Sequence, residues 1–187
     1  MILSLLLQHQ IFCIHSSCVK FKNTGLLILG NSGSGKTSLT LSLVEKGATL
    51  TNDDATFIQY RKKFVAMKNT QLIGLTDSGI KKYFHYLFHD VSFVDDNKKY
   101  RIDLNKSNPK CFESFIEINK IIWIESHRRE VPLLTDMKKM EMIKNICKNI
   151  SVNKYLYYDI YLQMITELVM NCNSYVLYPS YNLDQTL

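Results

Sequence analysis

The chain has 187 residues, 46% of them hydrophobic and 21% charged, with 23 basic against 17 acidic side chains and a net charge of +6. That length suits one ordinary domain with a sizeable core, and the composition excludes a disordered or fibrous chain. The basic excess sits in short pairs such as Lys62-Lys63 and Arg128-Arg129 without interleaved aromatics, so it reads as solvated surface and predicts no nucleic-acid partner.

Residues 1–7 are apolar, but no basic residue precedes them and no small-residue cleavage site follows, which predicts a short buried helix rather than a leader. No apolar run reaches membrane-spanning length, so no membrane partner is expected. Residues 11–14 and 18–21 read as strands separated by His15-Ser16-Ser17, and Lys22-Asn23-Thr24 turns the chain into a third strand at 26–29. Five cysteines, Cys13, Cys18, Cys111, Cys147 and Cys172, match no metal or redox spacing and are odd in number; they predict reduced thiols in a cytoplasmic protein.

The third strand leads into Gly30-Asn31-Ser32-Gly33-Ser34-Gly35-Lys36-Thr37, which fills the pattern G-x-x-x-x-G-K-[ST]. A loop poor in Cβ atoms lets backbone N–H groups curl around phosphate oxygens, and a helix opening at Lys36 adds the positive end of its dipole. Lys36 brings a mobile positive charge and Thr37 a hydroxyl suited to Mg²⁺. The helix is expected to end at Gly47, after which an extended segment delivers Asp53 and Asp54, 17 and 18 residues beyond Lys36 (53 − 36 and 54 − 36). One helix and one strand fit that interval, so the acidic pair can return to the phosphate site. On an extended segment adjacent side chains alternate, which would let one aspartate face a metal and the other face elsewhere.

Further on, residues 56–60 and 64–67 suggest a hairpin whose turn lacks glycine or asparagine. Asp77 is the expected cap of a helix carrying Ile80, Tyr83, Phe84 and Leu87 on one face. Residues 91–94 and 100–104 flank a second hairpin turn, and 112–124 contains one long strand ending in Trp123-Ile124. His85 and His89 have i, i+4 spacing without the glutamate of a zincin, so they are read as structural. Thr135 or Asp136 is expected to cap a helix with Met140, Ile143 and Cys147 on its buried face, and Asp159 to open another bearing Leu162, Ile165 and Val169. Residues 174–178 read as a final strand stopped by Pro179. Strands outnumber helices and include hairpins, which predicts a mixed rather than a purely parallel sheet.

The strings His15-Ser16-Ser17-Cys18-Val19, GLLILGNSGSGKT and LVEKGATLTNDD resemble the catalytic domain of HPr kinase/phosphorylase and its relatives. The resemblance implies an α/β fold of the HPr kinase/PEP carboxykinase type, a P-loop-containing mixed sheet flanked by helices, as a single domain over 1–187. It places His15, Lys36 and Asp54 on active-site positions, Gly30 to Thr37 on the ATP loop, and Thr37 on a Mg²⁺ ligand; of the two aspartates, Asp53 is the one expected to join Thr37 at the metal. Asp54 would be the base toward a serine hydroxyl. Bifunctional members carry a further N-terminal domain and a glutamate in a glycine-rich segment after the paired aspartates, whereas residues 57–79 contain no glutamate. The pattern is closer to compact HPr-kinase-related proteins, some of which phosphorylate serine in natural-product precursor peptides. The expected function is thus ATP-dependent phosphorylation of serine in an HPr-like protein or such a peptide, with homo-oligomer formation allowed. The alternative is a nucleotide-binding or NTPase regulatory module without kinase activity; a GTPase would need an N-K-x-D motif, which Asn119-Lys120-Ile121-Ile122 and Asn153-Lys154-Tyr155-Leu156 do not supply.

Overall fold

β1 (Ile11–Ile14) and β2 (Ser17–Phe21) are separated by the two residues at 15–16, and β2 turns through Lys22 and Asn23, both at positive φ, into β3 (Thr24–Gly30). This computed structural model describes residues 6–69, 71–149, 158–181 and 186. Of the N-terminal helix expected over 1–7, only Leu6 and Leu7 fall among the described residues; both are helical, and Leu7 is buried in the core. Helix α1 (Lys36–Glu45) follows the glycine-rich loop, and Gly47 at φ 89° releases the chain into β4 (Thr49–Asn52). Next come β5 (Thr56–Tyr60), β6 (Phe64–Met67) and β7 (Leu72–Leu75). The β5–β6 hairpin forms without glycine because Lys62 itself takes the left-handed conformation, at φ 63°.

Helix α2 (Asp77–Lys82) is capped by Thr76 rather than Asp77: the Thr76 hydroxyl accepts from the Gly79 N–H at 3.2 Å. It stops before Phe84 and Leu87, which are still buried, Phe84 as the cap of a following 3₁₀ turn (His85–Asp90) and Leu87 within it. The second hairpin is β8 (Val91–Val94) with β9 (Tyr100–Asp103), followed by the short α3 (Leu104–Ser107). The single strand expected over 112–124 is two, β10 (Phe115–Glu117) and β11 (Lys120–Ile124), in different sheets. Asn119 makes the break, its side-chain oxygen accepting from the Gly25 N–H at 2.8 Å and its own N–H donating to the Gly25 carbonyl at 2.9 Å. Thr135 and Asp136 cap no helix; they lie in β12 (Leu133–Asp136), and α4 (Lys139–Lys148) begins after Lys138. Its buried face is Met142, Ile143 and Ile146, with Met140 exposed. Helix α5 (Tyr158–Asn171) and β13 (Asn173–Tyr178) close the chain much as expected.

The central sheet has the order β12-β13-β11-β3-β2-β4. Its middle strands β3, β11 and β13 are parallel and its neighbours antiparallel, so the sheet is mixed. Strands buried on both faces need apolar residues at successive positions. Leu27, Leu29, Ile121 and Trp123 pack on one face against the sheet β1-β5-β6-β10 and helices α4 and α5. Ile28, Ile124 and Leu177 pack on the other against α1 and the sheet β7-β9-β8. That second small sheet is what brings β9 over the mouth of the glycine-rich loop. Among the described residues no helix is long and apolar enough to cross a membrane.

Candidate functional site

The loop 30–35 joins the end of β3 to α1, and Gly35 caps the helix at φ 102°, a conformation that costs a residue with a Cβ roughly 1–2 kcal/mol. Lys36 is buried and folds back along the loop, donating to the carbonyls of Gly30 at 2.9 Å and Asn31 at 3.1 Å. Burial lowers its pKa, opposed by the charges of Asp53 and Asp54. The Ser34 hydroxyl is buried without a hydrogen-bond partner among the described residues.

Asp53 follows β4 and lies behind Thr37. Its carboxylate accepts from the Ser17 hydroxyl at 2.6 Å, from the Thr37 hydroxyl at 3.0 and 3.1 Å, and from the Gly74 N–H at 3.3 Å. Burial pushes the Asp53 pKa up, as does the neighbouring Asp54 charge, against the opposing pull of those three donors. Thr37 donates its proton inward, so its oxygen lone pairs remain for a ligand in the cleft. Hydroxyl and carboxylate oxygens this close suit Mg²⁺, a hard cation that binds one or two protein oxygens and keeps waters and phosphate oxygens for the rest. Among the described residues there is no cluster of three or more His, Cys, Asp or Glu side chains able to hold a metal.

Asp54 is not on the extended segment expected for it. β4 ends at Asn52, and Asp54 takes φ 67°, a left-handed conformation that aspartate tolerates better than most residues. The twist sends its carboxylate toward β9, where Lys99 Nζ lies 3.1 and 3.2 Å from its two oxygens and Arg101 Nη1 lies 2.9 Å from Oδ2. Burial raises the Asp54 pKa, but the two cations outweigh it and hold the carboxyl below its usual range. A Cβ on Gly74 would come within 2.8 Å of Arg101 and 2.9 Å of the Asp54 carboxylate, so glycine keeps this junction open.

His15 is exposed. Its Nδ1 lies 2.6 Å from the Asp54 backbone carbonyl. Since a carbonyl only accepts, Nδ1 carries the hydrogen and Nε2 is left for the cleft.

His15, Gly33, Gly35, Lys36, Thr37 and Asp54 line one cleft of about 640 Å³, closed on its far side by Thr76, Lys82, Tyr83, Lys99, Arg128 and Tyr181. That volume lies within the roughly 300–1,000 Å³ of small-molecule sites. Ser17, Gly74, Lys99 and Arg101 escaped the sequence reading. The period of two in the second hairpin puts Lys99 and Arg101 on one strand face, but nothing local says which face meets Asp54.

Residues 7–84 match the family model of the HPr Serine kinase C-terminal domain. The HPr kinase/phosphorylase of Mycoplasmopsis pulmonis is 31% identical over 108 residues, covering 51% of this chain and 34% of the relative. That of Prosthecochloris aestuarii is 45% identical over 51 residues, covering 27% of this chain and 14% of the relative. The matched stretches thus span about a third or less of the curated relatives' length. The solved structure of the Hpr(Ser) kinase/phosphatase from Coxiella burnetii superposes with a TM-score of 0.51 at 15% identity, covering 92% of this chain and 88% of that one. At that identity the superposition shows the shared fold, and together with the sequence matches it shows that this chain carries an HPr kinase-like domain.

Proposed function

We propose that residues 1–187 act as one cytoplasmic catalytic unit, an ATP-dependent kinase that transfers the γ-phosphoryl group to a serine hydroxyl of an HPr-like protein or a peptide. The observation that carries this reading is the pairing of Thr37 with Asp53 at the opening of the glycine-rich loop, while the adjacent Asp54 faces the same cleft. The loop amides and Lys36 would receive the phosphates, and Lys36 must leave its two carbonyls to do so. A Mg²⁺ ion held by Thr37 and Asp53 would supply neutralisation of phosphate charge.

In the transfer itself the serine oxygen forms a bond to the γ-phosphorus as the bond to the β–γ bridging oxygen breaks, leaving ADP. The serine proton passes to the Asp54 carboxylate. A base held below the usual carboxylate range is weak, which suits a loose transition state in which the hydroxyl is oriented first and its proton leaves late. His15 fixes the backbone that carries this base.

One observation favours the second reading, a nucleotide-binding module without transfer: both oxygens of Asp54 are already taken by cations. Transfer of labelled γ-phosphate from ATP to HPr, or to a serine peptide, separates the two. Asp54→Asn is expected to lower single-turnover transfer by about 10²- to 10⁴-fold with little change in nucleotide affinity. Nucleotide binding with no transfer to either acceptor would favour the module.

A further inference from the structure

Two cations hold Asp54, but they are held very differently themselves. Arg101 is anchored at its other edge by Asp95, with Nε 2.8 Å and Nη2 2.7 Å from Asp95 Oδ2. Asp95 is fixed in turn by accepting from the backbone N–H groups of Asn97 at 3.0 Å and Lys99 at 2.9 Å. Arg101 is therefore a planar fork locked between two carboxylates. Among the described residues, the only hydrogen-bond acceptors within reach of Lys99 Nζ are the oxygens of Asp54. Lys99 also lines the cleft alongside Lys36, Thr37 and Gly33, whereas Arg101 does not.

Lys36, Lys82 and Lys99 face one cleft and repel one another, and a polyanion among them removes that repulsion. A carboxylate offers a single negative charge, while the terminal phosphate of a nucleoside triphosphate offers more charge and three oxygens. A flexible four-carbon stem with three rotatable donors can turn from one to the other. The bond that would remain matters as much. When Lys99 leaves, Arg101 still holds Oδ2 of Asp54, so the aspartate is not stranded as an unpaired charge. The atom set free is Oδ1, which among the described residues only Lys99 engages.

On the proposed reading of the site as a triphosphate-dependent kinase, we infer that Lys99 is the residue that recognises the terminal phosphate, exchanging Asp54 for it and so exposing Asp54 Oδ1 to the acceptor hydroxyl. Lys99 is then a specificity-determining residue for triphosphate over diphosphate, and Arg101 a positioning residue that keeps Asp54 in place during the exchange. The fold thereby couples arrival of the donor to availability of the base.

Calorimetric titration of MgATP and MgADP tests this without any acceptor. Removing a charge-assisted contact made only to the terminal phosphate predicts that Lys99→Met loses about 10- to 100-fold in MgATP affinity, with MgADP affinity held within about threefold. Lys99→Gln should behave in the same way. Arg101→Gln should change the two affinities in parallel. Unaltered ADP binding doubles as the check that each variant keeps its loop. Equal losses for both nucleotides in the Lys99 variants, or no loss for either, overturn the inference while leaving the nucleotide site in place. Failure of the unaltered chain to bind either nucleotide removes the site, and the inference with it.

Discussion

The Thr37 hydroxyl donates to both carboxylate oxygens of Asp53, at 3.1 Å to Oδ1 and 3.0 Å to Oδ2, across 16 residues of chain that include all of α1 but its first residue, Lys36. The contact ties the first turn of the helix to the end of β4 and leaves a buried carboxylate whose ionised form is disfavoured by burial and by Asp54.

That arrangement predicts opposite effects of one substitution on stability and on ligand response. The folded-state pKa of Asp53 is raised above its unfolded value, so its ionised form subtracts from stability near neutral pH and is relieved as pH falls. Asp53→Asn conserves size and still offers an oxygen to Ser17. The variant is expected to melt no lower than the unaltered chain when free of ligand. Its stabilisation by Mg²⁺ with ATP, about 2.7 kcal/mol at a hundredfold excess over Kd for a competent site, is expected to be largely lost. Thermal melts with and without MgATP check both halves, and a full MgATP shift in the variant would remove Asp53 from the metal site.

Lys36 donates to two loop carbonyls, and its charge faces the cleft rather than a core partner of opposite sign. Lys36→Ala is expected to leave the circular dichroism spectrum unchanged and to lower nucleotide affinity by at least about 10- to 100-fold, the worth of a lost charge-assisted contact. Normal nucleotide affinity in the folded variant would contradict the assignment of the loop.

His15 offers a sharper test because its two ring nitrogens do different things. Asparagine can reproduce the Nδ1 donor to the Asp54 carbonyl but lacks anything in the place of Nε2. If the histidine acts by holding the backbone of the base, His15→Asn should keep transfer within about tenfold while His15→Ala loses about 10²-fold. Equal loss in both variants, measured in single turnover, would instead assign the role to Nε2.

Away from the cleft, Glu113 accepts from Lys20 on β2 at 2.8 Å and from Thr49 on β4 at 2.7 Å, bridging the edge strand of the central sheet and its neighbour. Burial raises its pKa, but Lys20 and Thr49 more than offset this and hold it below the usual value. A depressed folded-state pKa stabilises above the unfolded value, about 4.3 for glutamate, and that contribution fades as pH falls through the folded pKa. Glu113→Gln is expected to cost about 0.5 kcal/mol at pH 7, the modest size set by solvent screening of a partly exposed pair. Denaturant curves should show the difference shrinking as pH falls below the usual glutamate value and through the depressed folded-state pKa; a difference independent of pH would mean that packing rather than charge is lost.

Most of the strands could be read from the residues because their signals are local. The β3 run, the glycine-rich loop, Gly47 and the acidic pair lie within thirty-odd residues of one another, and each is governed by backbone sterics or by a period of two or 3.6. Expectations went astray where a tertiary contact overrode local pattern. The 112–124 segment is broken because Asn119 grips Gly25 across 94 residues, and Thr135 and Asp136 join β12 because β13 offers a pairing edge that outweighs a capping preference. The site divides along the same line. Lys36, Thr37 and the paired aspartates announce themselves by spacing, since one helix and one strand bring them together whatever the rest of the chain does. That Asp54 turns left-handed into Lys99 and Arg101, that Ser17 and the Gly74 amide hold Asp53, and that His15 meets a carbonyl rather than a carboxylate depend on how the β7-β9-β8 sheet packs on the central one. Contacts between residues 21 to 47 positions apart leave no periodic trace in either segment, so only the folded chain decides them.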